Sequence, residues 1–249
     1  MTFRAAEHPY FAGRAPRVLA HRGLHNDDPE NSMSAFQAAV DAGVTFIETD
    51  VVGSKDGVAM ISHDTTLDRV SDRSGPVGAL TAAELAEVDL GGEGFITLPQ
   101  ALERFPLTRF NIDVKDGAAI DGVVSAVRDA GASDRVLLTS FSTARRLAIT
   151  KRIPGAASSP SATEFLILAT AIRMGFTPPL PLIHALQIPE RANRMTFVTE
   201  QLVDRYHRAG LEVHVWTVND EATMRRLLAI GVDGIVTDRA DLALRVLDS

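Results

Sequence analysis

Two histidines and two carboxylates stand at the ends of short apolar runs early in the chain. His21 ends the run VLAH, Glu48 and Asp50 lie in FIETD, and His63 ends MISH. Residues two apart on a strand point to the same face, so the two carboxylates would lie side by side. Adjacent carboxylates repel one another unless a cation lies between them, and hard divalent cations take oxygen ligands. Two imidazoles nearby could act as acid and base. Together with the carboxylates, they favour a metal-assisted site with a histidine pair.

The elements that must position these residues alternate between strand-like and helix-like periodicity. Runs of β-branched residues predict strands at 17–23, 45–52, 110–115, 135–141, 155–158, 185–188, 212–218 and 234–237. Helical spacing, capping residues and closing glycines predict helices at 31–41, 98–104, 118–130, 143–151, about 163–174, 199–209, about 220–231 and 240–247. Asn31 is expected to cap the first of these helices.

Strands that alternate with helices in this number predict an α/β fold, a (β/α)8 TIM barrel. An open doubly wound sheet is the alternative, disfavoured because no glycine-rich phosphate loop follows the first strand. We expect one domain over 1–249, with the motifs in 17–248 and an insertion at about 58–97 that is too short for its own core. Active sites of such barrels lie at the carboxyl ends of the strands. Residues predicted at or near those ends are His21, Asp50, Lys115, Ser140, Gln187, Trp216 and Thr237.

Composition and charge exclude several classes of function. The net charge of −7 argues against nonspecific binding to nucleic acid or to an anionic membrane surface. The lack of cysteine excludes disulfides, a thiolate nucleophile and cysteine-ligated metals. Residues 1–16 have no apolar stretch typical of a secretory signal, so we expect a cytoplasmic protein. Arg173 and several prolines interrupt the apolar stretch 165–186, which predicts a buried barrel helix and loop rather than a membrane span.

Several motifs, in this order and spacing, resemble the glycerophosphodiester phosphodiesterase family. They are HRG at 21–23, PENS at 29–32, ETD at 48–50, KDG at 55–57, HD at 63–64, NIDVK at 111–115, VWTVN at 215–219 and GVDGIVTD at 231–238. The resemblance implies a TIM barrel that hydrolyses small glycerophosphodiesters to an alcohol and sn-glycerol 3-phosphate. It also implies a divalent cation, Mg²⁺ or Ca²⁺ by the hardness of the oxygen ligands.

The same resemblance implies a role for each matching residue. His21 and His63 match the two histidines that act as general acid and base. The residues that match metal ligands are Glu48, Asp50 and Asp113, and those that match substrate or phosphate contacts are Arg22, Lys115, Trp216 and Glu30. Many relatives carry Glu where this chain has Asp113, whose side chain is shorter by one methylene. Histidines that match no motif are expected to lie at the surface or to pack, namely His25, His184, His207 and His214, and His8 in the amino-terminal arm is expected to be solvated.

Two alternatives stay open at the level of sequence. The first is a lysophospholipase D or sphingomyelinase D type of enzyme on the same barrel, for which a hydrophobic lip formed by 165–186 would be the support. The second is a barrel that binds a phosphorylated metabolite without turning it over. The histidine pair argues against the second, since binding alone needs neither a general acid nor a base. The sequence does not distinguish the acid from the base, or water from a substrate hydroxyl as the nucleophile.

Overall fold

The computed structural model describes residues 5–26, 28–179, 182–192 and 195–249. Its central sheet consists of parallel strands β1 Arg17–His21, β2 Phe46–Gly53, β3 Arg109–Val114, β4 Val136–Thr139, β5 Ala157–Ser158, β6 Ala185–Pro189, β7 Glu212–Trp216 and β8 Gly234–Thr237. The α-helices are α1 Met33–Asp41, α2 Ala82–Ala86, α3 Leu98–Arg104, α4 Ala119–Asp129, α5 Thr143–Thr150, α6 Ala162–Arg173, α7 Glu200–Arg208, α8 Glu221–Ala229 and α9 Ala240–Leu247. Short 3-10 helices lie at Ala5–Glu7, Pro9–Phe11, Val77–Ala79 and Ser133–Arg135.

The strands pair in the spatial order β5-β4-β3-β2-β1-β8-β7-β6, which is the order of a barrel opened between β5 and β6. At that seam the backbone N–H of His184 donates to the carbonyl oxygen of Ser158 at 2.9 Å, so the sheet nearly closes on itself. This arrangement, with the helices around it, confirms the predicted TIM barrel. The strand Ala59–Ile61 adds antiparallel to the end of β2, and Arg191–Ala192 pairs with Met195–Thr196 beyond β6.

Side-chain caps fix where several helices begin. Thr97 and Ser161 each form a capping box with the residue three positions on, which satisfies backbone N–H groups that the first helical turn leaves free. The first helix departs from the prediction, because Ser32 rather than Asn31 is its N-cap and accepts from the N–H of Ala35 at 3.1 Å. Asn31 instead has a φ of 58° and turns its side chain toward β2.

The amino-terminal segment closes the end of the barrel from which the strands begin. Tyr10 and Phe11 are fully buried, and the Tyr10 ring packs edge-on against Phe46 with centroids 5.4 Å apart. The expectation that His8 is solvated is wrong. Its ring is buried 4.7 Å from that of His184, because the segment folds under the barrel instead of extending into water.

The segment between β2 and α3 differs from the prediction in its packing. It was expected to be too short for a core of its own, yet its apolar side chains form a separate small cluster beside the barrel. The buried members of this cluster are Val52, Met60, Leu67, Val77, Leu85, Val88 and Phe95. The cluster is possible because β2 and the short strand after it supply its base.

The apolar stretch predicted as a buried helix is half exposed. Helix α6 buries Phe165 and Leu168 against the barrel but presents Leu166 and Ile167 to solvent. Residues 180 and 181, within the loop predicted to follow this helix, lie outside the described residues. Across the described ranges, every helix is too short or too polar to span a bilayer.

The buried histidine pair beneath the barrel makes the stability of the fold sensitive to acid. Burial, with a smaller contribution from His8, lowers the pKa of His184 from 6.5 to about 4. Between these values the unfolded chain binds a proton that the folded chain does not, so stability falls as the pH drops. We therefore expect the unfolding free energy of wild type to fall by about 2 kcal/mol more than that of His184→Asn between pH 7 and pH 5. Asparagine is chosen because it keeps an acceptor near the position of Nδ1.

Urea denaturation at a series of pH values measures this difference. His207→Gln is a matched control of opposite sign. The hydrogen bond that His207 donates to Asp233 raises the pKa of His207, so protonation of this imidazole favours the folded state. Removal of the His207 imidazole should therefore make the unfolding free energy fall more steeply as the pH drops. Equal slopes for wild type and His184→Asn would contradict the prediction.

Candidate active site

The register of the first three strands places the candidate residues in two layers. Parallel pairing puts His21 of β1 beside Glu48 of β2, and Glu48 beside Asn111 of β3. Two residues further along, Asp50 pairs with Asp113. Because side chains two apart on a strand share a face, both layers face the inside of the barrel. Sequence-distant imidazole and carboxylate groups therefore meet at the carboxyl end of the sheet, as the barrel prediction required.

These layers open into a cavity of about 550 Å³ at the carboxyl ends of the strands. His21 and His63 both line it, and so do the side chains predicted at strand ends other than Thr237. Its polar half is lined by His21, Arg22, Glu48, Asp50, His63, Asn111, Asp113 and Lys115. Its apolar half is lined mainly by side chains from α6, β6, β7 and the loops beside them.

His21 is held by a carboxylate from the opposite end of the chain. Its Nδ1 lies 2.6 Å from Oδ1 of Asp238, which directly follows β8. Burial alone raises the pKa of Asp238, but hydrogen bonds with His21, His25 and Asn219 together hold it well below its usual value. An ionised carboxylate only accepts, so Nδ1 carries the proton and Nε2 is left for the cavity. His25, which matches no motif and was expected at the surface or in packing, is 3.5 Å from the same Asp238 oxygen.

His63 is held in the same way by its neighbour in the chain. Its Nδ1 lies 2.7 Å from Oδ1 of Asp64, and Arg69 donates to the other oxygen of that carboxylate. Arg69 also donates to Glu30 at 2.6 Å, and Glu30 accepts from Arg22 at 2.9 Å. Glu30 therefore lines a neighbouring cavity of about 200 Å³ rather than the main one. Arg69 and Glu30 together link the loop that carries His63 to the strand end that carries Arg22.

Lys115 lies between two buried carboxylates. Its Nζ is 2.7 Å from Oδ1 of Asp50 and 2.7 Å from Oδ2 of Asp113. Burial opposes the charge of Lys115, but the two carboxylates outweigh it and raise its pKa. Arg22 adds a second cation, with Nε 3.4 Å from Oδ2 of Asp50. Two cations therefore compensate part, but not all, of the negative charge in the polar half.

Glu48 is the carboxylate whose negative charge the two cations leave uncompensated. Burial is the largest cause that raises its pKa well above the usual value, and Asp50 and Asp113 add repulsion. Its Oε2 is buried and hydrogen-bonded to no group among the described residues, and the same holds for Oδ1 of Asp113 and Oδ1 of Asn111. Buried polar atoms normally have partners, so three such oxygens at one cavity wall indicate that a donor or cation belongs there.

The donor set fits a hard divalent cation in its chemistry, since carboxylate and amide oxygens are the ligands that Mg²⁺ and Ca²⁺ take. The side chains are not arranged around one point, however. No three His, Asp or Glu side chains in the described ranges converge as metal ligands, because Lys115 engages Asp50 and Asp113 instead. Asp113, the shorter side chain noted in the sequence, contacts Lys115 at the same 2.7 Å as Asp50 does.

Sequence reasoning missed three side chains of this site. Asp238 and Asp64, which hold the histidines, were quoted within motifs but given no role. Asn111 faces the cavity beside Glu48, although it was quoted only as part of a motif. Each had a signal: Asp238 follows a strand end, Asp64 follows His63, and Asn111 lies two residues before Asp113 on the same strand face. Trp216, predicted as a pocket wall, lines the cavity and also packs on the core beneath it.

Comparisons with known proteins agree on one family. Residues 21–242 match the model of the glycerophosphoryl diester phosphodiesterase family. A curated relative from Mycobacterium tuberculosis, described as a probable glycerophosphodiester phosphodiesterase 2, is 39% identical over 242 residues, which cover 92% of this chain and 90% of the relative.

Two solved structures are similar over nearly their whole length. A phosphodiesterase from Oleispira antarctica, in complex with the product sn-glycerol-3-phosphate, superposes with a TM-score of 0.78 at 26% identity, covering 94% of this chain and 98% of that one. The glycerophosphoryl diester phosphodiesterase domain of a Mycobacterium tuberculosis protein superposes with a TM-score of 0.82, covering 95% and 100%, and at 21% identity it shows the fold alone.

Oε2 of Glu48 has no hydrogen-bond partner among the described residues and lies 3.8 Å from Nε2 of His21, so the buried carboxylate is costly for the fold. We expect Glu48→Gln to raise the unfolding free energy by about 1 kcal/mol at pH 7 in the presence of a chelator, because the amide removes repulsion from Asp50 and Asp113. Urea denaturation measures the gain. A raised pKa in the folded state means that the cost is present only where the unfolded carboxyl is ionised. The gain should therefore vanish below the ordinary glutamate pKa of 4.5, and a gain unchanged by pH would contradict this account.

Proposed function

We propose how catalysis proceeds in this chain, which belongs to the glycerophosphoryl diester phosphodiesterase family and is an enzyme of that activity. It hydrolyses a glycerophosphodiester to an alcohol and sn-glycerol 3-phosphate, with His21 and His63 as the acid–base pair and a divalent cation at the acidic wall. The observation that carries the proposal is that both imidazoles have Nδ1 engaged by a carboxylate and line the same cavity. The product bound to the Oleispira antarctica phosphodiesterase supports glycerol 3-phosphate as the product here.

Two cationic side chains are suited to hold the phosphate of the substrate. Arg22 and Lys115 line the polar half of the cavity, and both are largely shielded from water. The planar guanidinium of Arg22 matches phosphate oxygens, while the ammonium of Lys115 acts as a point charge. Asp50 contacts both of them, so one carboxylate connects the two cations.

The histidines move the protons of the reaction. One imidazole takes a proton from the attacking water, or from a neighbouring hydroxyl of the glycerol, the new P–O bond forms, and the bond from phosphorus to the alcohol oxygen breaks. The other imidazole, protonated at Nε2, gives its proton to that oxygen as it leaves. Asp238 and Asp64 act as positioning residues, since each holds one ring and stabilises its imidazolium form. One water is consumed per diester, either as the attacking group or in opening the cyclic phosphate that attack by the glycerol hydroxyl would form.

A divalent cation, Mg²⁺ or Ca²⁺, would be held by Glu48, Asp50 and Asp113. When bound it would supply Lewis-acid stabilisation of the charge that grows on the phosphate. The unpartnered oxygens of Glu48 and Asp113 are the support for this assignment. Lys115 would remain beside Asp50 and Asp113, where it neutralises part of their charge and faces the phosphate.

Removal of either histidine tests the acid–base assignment. We expect His21→Ala and His63→Ala each to lower kcat on glycerophosphocholine by about 10²- to 10⁴-fold, the usual contribution of a positioned acid or base. Enzymatic detection of released glycerol 3-phosphate measures the rate. His25→Ala is the matched control, because His25 contacts the same Asp238 oxygen as His21 but does not line the cavity. Near-normal turnover by His21→Ala, or an equal loss in His25→Ala, would show that the acid–base assignment is wrong.

Binding of the cation can be tested apart from catalysis. We expect Mg²⁺ or Ca²⁺ at a hundredfold excess over Kd to stabilise chelator-treated wild type by about 3 kcal/mol, through selective binding to the folded state. Thermal unfolding with and without each ion measures the gain. Glu48→Gln should lose most of the gain, since it lacks one anionic ligand, whereas the surface variant Glu221→Gln should keep it. An equal gain in Glu48→Gln would place the cation elsewhere.

A further inference from the structure

Arg69 lies between two carboxylates at the edge of the site. Its Nε donates to Oδ2 of Asp64 at 2.5 Å, and its Nη2 donates to Oε1 of Glu30 at 2.6 Å. Asp64 also holds Nδ1 of His63 at 2.7 Å. Glu30 also accepts from Nη1 of Arg22 at 2.9 Å, on the same oxygen that Arg69 contacts. One guanidinium is therefore a single carboxylate away from both an imidazole and a cation of the main cavity.

The backbone that carries Arg69 is anchored to the small apolar cluster beside the barrel. Leu67 is a buried member of that cluster, and Val70 packs against it. The backbone N–H of Leu67 donates to the carbonyl oxygen of Gly75 at 2.9 Å, which closes the turn that carries Arg69. A planar guanidinium on an anchored backbone, with hydrogen bonds in two directions, can fix the positions of the groups that it contacts.

The exposure of Arg69 indicates that these hydrogen bonds serve the site more than the stability of the fold. Its side chain is 50% exposed, and ion pairs of exposed side chains contribute little to stability. Burial opposes the charge of Glu30 and Asp64, but hydrogen bonds with Arg69 and with a second partner outweigh it and lower the pKa of both carboxyls. Both carboxylates therefore stay ionised and accept hydrogen bonds from Arg22 and His63.

We propose that Arg69 is a positioning residue of the reaction, which holds His63 through Asp64 and Arg22 through Glu30. This inference rests on the proposed function and adds to it a residue outside the main cavity. Arg69 lies on the wall of the neighbouring cavity of about 200 Å³ and outside the described lining of the main one. Its effect on the reaction therefore passes through the two carboxylates rather than through contact with the substrate.

The two connections predict different kinetic effects. Loss of the hydrogen bond to Asp64 leaves the ring of His63 less firmly oriented, and a misplaced acid or base lowers kcat. Loss of the hydrogen bond to Glu30 leaves the partner of Arg22 less firmly held. Because Arg22 is proposed to bind the phosphate in the substrate and in the transition state alike, this second loss raises KM.

Double-mutant cycles in the hydrolysis of glycerophosphocholine separate the two connections. We expect Arg69→Gln to lower kcat about ten- to a hundredfold and to raise KM several-fold. In an Asp64→Asn background the same substitution should leave kcat nearly unaltered, and in a Glu30→Gln background it should leave KM nearly unaltered. Wild-type kinetics of Arg69→Gln, or additive effects in either background, overturn the inference.

Two further variants distinguish positioning from a general effect of charge. Arg69→Lys should recover only part of the loss, because an ammonium lacks the planar fork that reaches both carboxylates. Arg73→Gln is the matched control, since Arg73 is exposed in the same segment and, within the described structure, contacts neither Asp64 nor Glu30. Full recovery by Arg69→Lys, or an equal loss in Arg73→Gln, would contradict a positioning role.

The tautomer of His63 gives a measurement that needs no turnover. Long-range proton–nitrogen NMR spectra at alkaline pH report which ring nitrogen carries the proton, and the His63 signals are assigned by their loss in His63→Ala. We expect the Nδ1–H tautomer to dominate in wild type and in Arg73→Gln, and a mixture of tautomers in Arg69→Gln. If wild type hydrolyses no diester, the proposed function fails, while these spectra still decide whether Arg69 holds His63. An unchanged tautomer in Arg69→Gln overturns the inference.

Discussion

The concentration of like charge inside the barrel is the constraint on which the rest of the site depends. Glu48, Asp50 and Asp113 project inward from two adjacent strands, and the pairing of those strands leaves them no room to separate. Carboxylates taken out of water at this separation are tolerated only with compensating cations. Lys115 and Arg22 supply part of the compensation, and they are also the groups suited to a phosphate. The same electrostatic strain thus positions the two cations that are proposed to bind phosphate, and it leaves a place for a further cation.

The barrel separates this strained end from an end that serves stability. Below the acidic layers, Tyr10, Phe11 and Phe46 form an aromatic floor to which the amino-terminal segment contributes. The guanidinium of Arg17 lies 5.6 Å from the Phe46 ring and bonds to Glu212, so even the charges at this end are paired. A well-packed floor can offset the cost of uncompensated carboxylates above it, in keeping with the usual division of the two ends of such barrels.

Both histidines depend on partners from different parts of the chain. The ring of His21 is held by Asp238, more than two hundred residues away, so this contact forms only when β8 pairs with β1. The ring of His63 is held locally, but Arg69 joins its carboxylate to Glu30 and through it to Arg22. Closure of the barrel and docking of the 58–97 segment are therefore both needed to form the proposed acid–base pair.

The sequence by itself determined the fold class, the order of the elements and the motif residues that meet at the cavity. It could do so because periodicity reports burial along a strand or helix, and the parallel strands bring their carboxyl ends to one face. Tertiary structure alone decided that Asn31 turns to β2 while Ser32 caps α1, and that His8 is buried. It also decided that Lys115 lies between Asp50 and Asp113, and that Phe141 joins the polar half to an apolar one. These outcomes depend on distances between side chains remote in sequence, and no local pattern specifies such distances.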